Sequence, residues 1–226
     1  MRFEGFGAGA VAWFEGLERD NAKRYMDATR ATFEDEVRGP LEALLVEVAA
    51  GVGGEVKVFR QNRDVRFSPD KSPYKTATYG VVHRPGTDAG LYAAISSAGL
   101  YAGTGYYQMA RDQLERYRAA VDDDASGGEL AALVDAVEAA GLVVEGDGLR
   151  TVPRGFPRDH PRRELLRRTS LILGARLAPG PALGDRRALE HARSTWAATA
   201  PVTAWLDRNV GPSALPPEER VGRRGR

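Results

Sequence analysis

Hydrophobic residues in the first fifty positions recur at helical spacing. Three helices are predicted there: residues 8–17, a stretch that includes residues 25–37, and residues 41–50. In the first helix, Phe14 and Leu17 fall on one side. We expect Asp20 or Asn21 to cap the second helix. Pro40 interrupts the second helix and fits the first turn of the third.

After residue 54 the pattern changes to alternation with a period of two, which is typical of strands. Four strands are predicted, near residues 55–60, 76–83, 90–96 and 100–106. The intervals between them are short for helical crossovers, so an antiparallel meander is favoured. Tyr79, Tyr92, Tyr101 and Tyr106 suit a sheet with one covered face.

Helical spacing returns in the second half of the chain. The predicted helices are residues 109–121, 128–140, 161–168, 184–199 and 201–209. A hairpin of residues 142–145 and 149–152 is expected between the second and third of these. The predicted fold class is therefore α+β: an antiparallel β meander covered by N-terminal and C-terminal helices. We expect a single compact domain over residues 1–210 and a disordered basic tail over residues 211–226.

Composition limits the classes of function. The 226 residues carry a formal net charge of +1, which provides no global field to attract nucleic acid or an anionic membrane. There is no cysteine, which excludes thiolate chemistry. No apolar run approaches the roughly 18 residues of a membrane span, and residues 1–6 lack the apolar region of a secretory signal. A cytoplasmic protein without a membrane partner is expected.

Lysine is rare and concentrated. Of the 32 lysine and arginine residues only four are lysine, and Lys57, Lys71 and Lys75 lie within one short stretch. A compact ammonium on a flexible stem behaves differently from a planar guanidinium, so some of these positions are expected to require lysine. This stretch is where we expect function.

Residues 60–75 carry a local excess of three positive charges, because five cationic residues face only Asp64 and Asp70. Donors from both arms of the turn over residues 68–73 could enclose a phosphate or carboxylate. The predicted ligand-binding residues are Arg60, Arg63, Arg66, Ser68, Lys71, Tyr74, Lys75 and Arg154. In the structural alternative, the arginines pair with the two aspartates and with acidic helices, and the segment is an architectural ion-pair network.

A second segment, residues 154–168, allows two interpretations. Asp159 or His160 can begin a helix whose first turn holds Pro161. Alternatively, His160 acts as a base or an anion contact, with Arg154 and Arg162 adding positive charge.

Other chemistry has little support in the sequence. No G-x-S-x-G elbow or phosphate-binding P-loop is present. The three histidines, His83, His160 and His191, are far apart, which argues against a protein metal site. No cofactor is indicated.

The run Phe59-Arg-Gln-Asn-Arg-Asp-Val-Arg-Phe-Ser-Pro-Asp-Lys-Ser-Pro-Tyr-Lys-Thr76 resembles the signature of domain-of-unknown-function family 2461, an uncharacterised bacterial and fungal family. Further matches are Asp20-Asn21 with Arg30, Pro40-Leu41, residues 153–156, residues 159–161 and residues 165–167. The resemblance covers roughly residues 3–208. It implies an α+β domain and implies no activity, cofactor or catalytic residue.

Three functions are compatible with these observations. The first is binding of a phosphorylated or carboxylated small molecule in a pocket lined by lysine and arginine, with or without catalysis. For catalysis the candidates are Lys71 and Lys75 as electrostatic stabilisers and Asp64 or His160 as the proton-handling group. The second is a nucleic-acid or protein interaction module using residues 60–79, against which the near-zero net charge argues. The third is the structural network, with function elsewhere.

Overall fold

The computed structural model describes residues 2–220. The chain separates into two compact units, each assembled from several segments. The first unit comprises Met1–His83, Leu91–Ala102 and Arg176–Ser194. The second comprises Arg84–Gly90, Gly103–Ala175 and Thr195–Arg226. The expectation of one domain over residues 1–210 stays a prediction.

Helices and strands follow one another as an α+β chain, which confirms the predicted class. The helices are α1 (Ala10–Arg19), α2 (Lys23–Ala28), α3 (Arg30–Thr32), a π-helix (Phe33–Arg38), α4 (Gly39–Val52), α5 (Arg111–Asp122), α6 (Asp124–Ala139), α7 (Arg163–Arg167), a 3-10 turn (Pro181–Gly184), α8 (Arg187–Asn209) and α9 (Pro217–Arg220). The strands are β1 (Glu55–Val58), β2 (Ala77–His83), β3 (Leu91–Ser96), β4 (Gly99–Tyr106), β5 (Val143–Glu145) and β6 (Leu171–Leu177).

The sheet order is β1-β2-β3-β4-β6-β5. The first four strands are neighbours in chain order, which confirms the predicted meander. β1 pairs with β2, β2 with β3, and β5 with β6, each antiparallel. Within the described part of the chain, every helix is too short or too polar to cross a lipid bilayer.

In the first unit, α4 packs on β1, β2 and β3. Leu41, Leu44 and Leu45 are fully buried on this helix, as their helical spacing predicts. Gly80 in β2 permits a close approach, because a Cβ there would lie 2.4 Å from Cδ1 of Leu45. The start of α8 is attached to α4 through Arg186, whose guanidinium Nη2 lies 2.6 Å from Oε1 of Glu47.

The second unit has its own core, in which α5, α6, α7, β6 and the end of α8 pack together. Tyr117 and Trp205 form its aromatic centre, with ring centroids 6.2 Å apart in an edge-to-face arrangement. The indole Nε1 of Trp205 donates to the carbonyl of Ser126 at 2.9 Å, so this buried polar group is satisfied.

Two predictions about the second half of the chain are wrong, and one strand was missed. The hairpin of residues 142–145 and 149–152 does not form, because β5 pairs with β6 instead. That strand, Leu171–Leu177, was not predicted at all. The two terminal helices are one continuous helix, α8, with Pro201 inside it. Proline usually ends a helix, but buried Val202 and Trp205 hold the following turns in the core.

The predicted disordered tail lies partly outside the described residues, which end at residue 220. Its first part makes definite contacts. Ser213 is buried and its Oγ donates to Oδ1 of Asp112 at 2.7 Å, and the N–H of Ala214 donates to Oδ2 of the same carboxylate at 2.9 Å.

Candidate functional site

Residues 60–75, here called the cationic loop, extend the β1–β2 hairpin beyond its two strands. The N–H of Lys75 donates to the carbonyl of Gln61 at 3.0 Å, and the N–H of Arg63 donates to that of Pro73 at 2.9 Å. Asn62 and Tyr74 form an isolated antiparallel bridge. The two arms therefore run side by side, and residues 64–72 close the end.

Asn21 fastens the returning arm of the loop to the helices. Its Nδ2 donates to the carbonyl of Tyr74 at 3.0 Å, and its Oδ1 accepts the N–H of Tyr74 at 3.1 Å. The expected capping role is wrong, because α2 begins after Ala22 without a side-chain cap and Asp20 accepts from Arg24. An amide matches a peptide group in having both a donor and an acceptor, so Asn21 acts as a strand partner.

The buried side chain of Gln61 connects the outgoing arm of the loop to the returning arm and to β2. It is buried, its Nε2 donates to the carbonyl of Lys75, and its Oε1 accepts from Oγ1 of Thr78 at 2.8 Å. A buried amide with both ends bonded stabilises one arrangement of the backbone, because any other leaves a polar group without a partner. The base of the cationic loop is therefore held by buried hydrogen bonds as well as by the backbone.

Arg63 and Arg66, which lie between the ends of the cationic loop, form ion pairs with the loop's own aspartates. Arg63 donates to Asp70, to the carbonyl of Ser72 at 3.2 Å and to Oγ of Ser68 at 3.4 Å. Arg66 contacts both carboxylate oxygens of Asp64, at 2.9 and 2.6 Å. These pairs are the arrangement that the structural alternative expects.

Both loop aspartates are held in the ionised form. The hydroxyl and N–H of Ser72, together with Arg63, lower the pKa of Asp70 to about 2. The side chain and N–H of Arg66 lower the pKa of Asp64 to about 2. A carboxylate with so low a pKa is a weak proton acceptor at neutral pH, which counts against Asp64 as a general base.

The two lysines of the loop bind backbone carbonyls. Nζ of Lys71 donates to Val65 at 3.0 Å, and Nζ of Lys75 donates to Arg60 at 2.6 Å. Within residues 2–220 neither ammonium forms a salt bridge with a carboxylate. Because an ammonium has three donors, each lysine keeps capacity for a further acceptor.

Two clefts adjoin Tyr74. The first has a volume of about 450 Å³ and is lined by Glu18, Asn21, Arg63, Asp70, Ser72 and Lys75 among others. Its charges are balanced, since two carboxylates accompany two cations. Arg63 and Asp70 pair with each other. In the described residues Lys75 is therefore the cation of this cleft that has no carboxylate partner.

The second cleft, here called the arginine cleft, has a volume of about 250 Å³. Its charged and amide residues are Arg30, Arg38, Arg60, Glu34, Gln61 and Asn62, and its apolar wall consists of Met26, Phe33 and the ring of Tyr74. Three guanidinium groups thus accompany one lining carboxylate. Glu34 already accepts from Arg38 at 3.2 Å. Arg30 pairs with Asp27 at 3.1 Å on the helix surface.

Arg60 differs from the other arginines of the arginine cleft. Among the described residues its side chain makes no hydrogen bond or salt bridge, although its backbone carbonyl accepts from Lys75. A guanidinium has five donors in a planar fork that matches carboxylate and phosphate groups. Arg60 is therefore the cation of this cleft that is most available to an anion.

The π-helix supplies one wall of the arginine cleft through Phe33, Glu34 and Arg38. Its wider turn is visible where the N–H of Gly39 donates to the carbonyl of Glu34. Pro40 lies in the first turn of α4, as expected, but the π-helix runs directly into α4 without the expected interruption. Single π-turns inside helices are often found at functional sites.

The lack of an N–H on Pro40 has a local consequence. The carbonyl of Glu36 loses its intrahelical donor and accepts the N–H of Gly7 at 3.1 Å instead. The carboxylate of Glu36 accepts the N–H of Gly9 at 2.6 Å. Glu36 therefore attaches the π-helix to the start of α1, while Glu34 lines the arginine cleft.

The remaining predicted site residues lie outside both clefts. Arg66 and Lys71 are exposed on the cationic loop, and Ser68 accepts from Arg63. Arg154 and His160 belong to the second unit. There Arg154 is exposed, whereas His160 is 8% exposed.

His160 has defined partners within the second unit. Its Nε2 lies 3.2 Å from Oδ1 of Asp122, and its Nδ1 accepts the N–H of Arg162 at 3.0 Å. Both ring nitrogens are therefore engaged in holding the start of α7 against the end of α5.

Glu34 and Arg38 were missed by the sequence reasoning. Their i, i+4 spacing is a readable signal, but the same spacing occurs on any solvated helix face. Only the π-helix directs them into a cleft with Arg60, and that turn could not be read from the hydrophobic pattern.

The molecule so described is an α+β protein with an antiparallel meander and a cationic cleft beside the β1–β2 hairpin. The chain belongs to the family described as "Conserved hypothetical protein (DUF2461)", whose profile matches residues 9–205. This confirms the family resemblance found in the sequence. A comparison with curated proteins finds no match.

Proposed function

We propose that this protein binds a small phosphorylated or carboxylated molecule in the arginine cleft. One observation carries the proposal: Arg30, Arg38 and Arg60 line a cleft with a single carboxylate, and the side chain of Arg60 makes no hydrogen bond or salt bridge within the described residues, although it lies in the field of Asp64. Guanidinium groups suit the planar, multidentate oxygens of phosphates and carboxylates.

The composition of the cleft supports an organic anion over a bare inorganic one. Met26, Phe33 and Tyr74 supply buried apolar surface, and Gln61 and Asn62 add amides. Ligand sites commonly combine an apolar wall with a few polar groups that fix orientation. A volume of about 250 Å³ suits a small metabolite.

The proposal is one of binding. Asp64 is paired with Arg66, and Lys71 is bonded to a loop carbonyl, so neither is directed into the arginine cleft. His160 is held between Asp122 and Arg162 in the second unit. Asp64, Lys71 and His160 therefore lie away from the arginine cleft, and catalysis by these residues or by Lys75 stays a prediction. The expected cytoplasmic location also stays part of this proposal.

A thermal-shift screen tests the proposal. The full chain is heated with inorganic phosphate, pyrophosphate, sugar phosphates, and di- and tricarboxylates, since a ligand that binds only the folded state raises the unfolding midpoint. Titration calorimetry of the best anion then compares Arg60→Gln with Arg66→Gln. We expect Arg60→Gln to weaken binding about tenfold or more, because a charge-assisted hydrogen bond is lost.

Arg66→Gln is the matched control, because it removes an exposed guanidinium of the same loop that lies outside the cleft. It should leave the affinity unchanged. Two outcomes contradict the proposal: no anion of the panel raises the midpoint, or both substitutions weaken binding equally.

A further inference from the structure

The sheet of the first unit has two chemically different faces. Thr78, Gly80 and Val82 point towards α4 and are buried. Tyr79 and Val81 alternate with them and point to the opposite face. That second face carries a row of aromatic rings, here called the aromatic face: Phe59, Tyr79, Tyr92 and Tyr101.

The four rings run across neighbouring strands at nearly equal steps. The centroids of Phe59 and Tyr79 are 5.1 Å apart, those of Tyr79 and Tyr92 are 5.7 Å apart, and those of Tyr92 and Tyr101 are 6.2 Å apart. The strand register explains the row. Tyr79 is opposite Ala94 and Tyr92 is opposite Val81, so these two rings meet diagonally. Phe59 continues the β1 register opposite Tyr79, and its N–H donates to the carbonyl of Tyr79 at 3.0 Å.

Cations lie against this row at both ends. Nζ of Lys75 is 4.5 Å from the ring centre of Tyr79, and Nζ of Lys57 is 5.1 Å from that of Phe59. The guanidinium of Arg176 is 5.5 Å from the ring centre of Tyr101. Glu55 is the one acidic residue at the β1, β2 and β3 positions of this face.

The rings at the lysine end remain partly exposed. Phe59 and Tyr79 are neither buried nor fully exposed, whereas Val81 and Ala94 beneath the row are buried. The side chains thus form a partly exposed row of rings, with the ammonium groups of Lys57 and Lys75 over Phe59 and Tyr79. Flat rings with accessible faces stack on other flat rings, and lysines on flexible stems can turn from a ring to a phosphate.

We propose that the aromatic face binds single-stranded nucleic acid, with bases stacking on Tyr79 and Phe59 and phosphates paired with Lys57 and Lys75. An antiparallel sheet with helices on one side and aromatic and basic side chains on the other has the chemistry that unpaired bases require. The net charge of +1 is a property of the whole chain and does not describe the cations along this row. The proposal is independent of the arginine cleft.

The interaction should depend on salt only moderately. Three cations line the row, and each neutralised phosphate of a single strand contributes about −0.7 to the slope of log K against log salt. The expected slope is therefore about −2. A neutral apolar peptide would show almost no slope, and double-stranded DNA offers no accessible base faces to the rings.

Fluorescence anisotropy tests the proposal with labelled ten-nucleotide RNA and DNA single strands and the corresponding duplex. We expect the single strands to bind more tightly than the duplex, with the RNA and DNA arms identifying the preferred sugar. Tyr79→Ala should weaken binding about tenfold, since loss of one stacking ring has an effect of this size. Lys75→Gln should weaken it less and reduce the magnitude of the salt slope by about 0.7.

The controls separate stacking from folding and from charge. Tyr79→Phe keeps the ring and should bind like the original chain. Tyr79→Leu keeps apolar bulk but removes the ring, and it should weaken binding even if the alanine variant is destabilised. Tyr107→Ala removes a 68% exposed tyrosine of the second unit and should change nothing. The anion titration of the arginine cleft uses different ligands and different variants, so that failure here and failure of the arginine cleft are distinct results.

Three results would overturn the proposal. The first is no binding of either single strand at low salt. The second is binding that Tyr79→Leu and Tyr107→Ala affect equally. The third is salt-dependent binding in which the duplex competes as well as the single strand, which would indicate an unspecific charge effect.

Discussion

The two arginine-rich segments, residues 60–75 in the first unit and residues 154–168 in the second, use positive charge differently. In the second, Arg162 is only 13% exposed at its side chain and donates to the carbonyls of Val121 and Asp122 and to Asp124. It therefore closes the end of α5. In the first, Arg63 and Arg66 pair with loop aspartates, while Arg60 lines a cleft. Arginine density alone does not identify a binding site.

What distinguishes the two segments is the kind of acceptor. Backbone carbonyls at a helix end lack an intrahelical donor, so a guanidinium bonded to them serves the fold. Gly127 leaves the space for this contact, because a Cβ there would lie 2.6 Å from Nε of Arg162. A cation without an internal acceptor is available to a ligand. Substitutions in each segment therefore measure whether the kind of acceptor decides what an arginine does.

The largest effect is expected for Arg162→Ala. The substitution leaves helix-end carbonyls at Val121 and Asp122 without their donor and should lower the free energy of unfolding by about 3 kcal/mol. Urea unfolding followed by circular dichroism measures it. Arg163→Ala is the matched control, since the side chain of this neighbour is 60% exposed and, in the described residues, pairs only with Glu164. Equal effects of the two substitutions would remove the distinction between the segments.

Much of the fold could be predicted, because periodicity reports which face of an element is buried. The meander and α4 follow from alternation at β2 and from helical spacing at Leu41 to Val48. β6 was missed because a short apolar run before a proline-containing turn resembles a helix as much as a strand. β5 was then given the wrong partner.

The candidate site was predictable only in part. Residues 60–75 were singled out by charge and lysine content, and they do contribute Arg60 and Tyr74 to the arginine cleft. Asn21 meets Tyr74 across 53 positions of sequence, and Arg38 reaches the same cleft through a π-helix. Neither contact is visible as a local sequence pattern, since both depend on how distant elements pack.

Glu47 in α4 is a carboxylate of intermediate exposure that pairs with Arg186, so its contribution to stability lies between those of Arg162 and Arg66. Hydrogen bonds from Arg186 and from the N–H of Phe3 lower the pKa of Glu47 from 4.5 to about 2. Because the folded pKa lies below the unfolded one, the pair stabilises the fold above about pH 4.5, and this contribution is lost as the pH falls towards 2. Glu47→Gln should lower the unfolding midpoint at pH 7 on the order of 3 °C.

The same difference should shrink as the pH is lowered from 5 to 2, where the original carboxylate takes up its proton. Melting curves across this range measure it, with Glu15→Gln as the control because Glu15 is an exposed residue of α1. A difference that stayed constant with pH would mean that Glu47 acts through shape and packing, not through its charge.

The smallest effect is expected for Arg66→Gln. The Arg66 and Asp64 side chains are 77% and 47% exposed, and ion pairs in water contribute little to stability because both partners are well solvated without each other. The unfolding midpoint should therefore stay within experimental error. The pKa of Asp64 should rise towards its ordinary value, because hydrogen bonds from Arg66 are its largest cause of lowering. Carbon-detected NMR titration of the carboxyl group measures this rise. A fall in stability comparable to that of Arg162→Ala would instead show that the loop pairs carry the fold, which would turn residues 60–75 into the same kind of segment as residues 154–168.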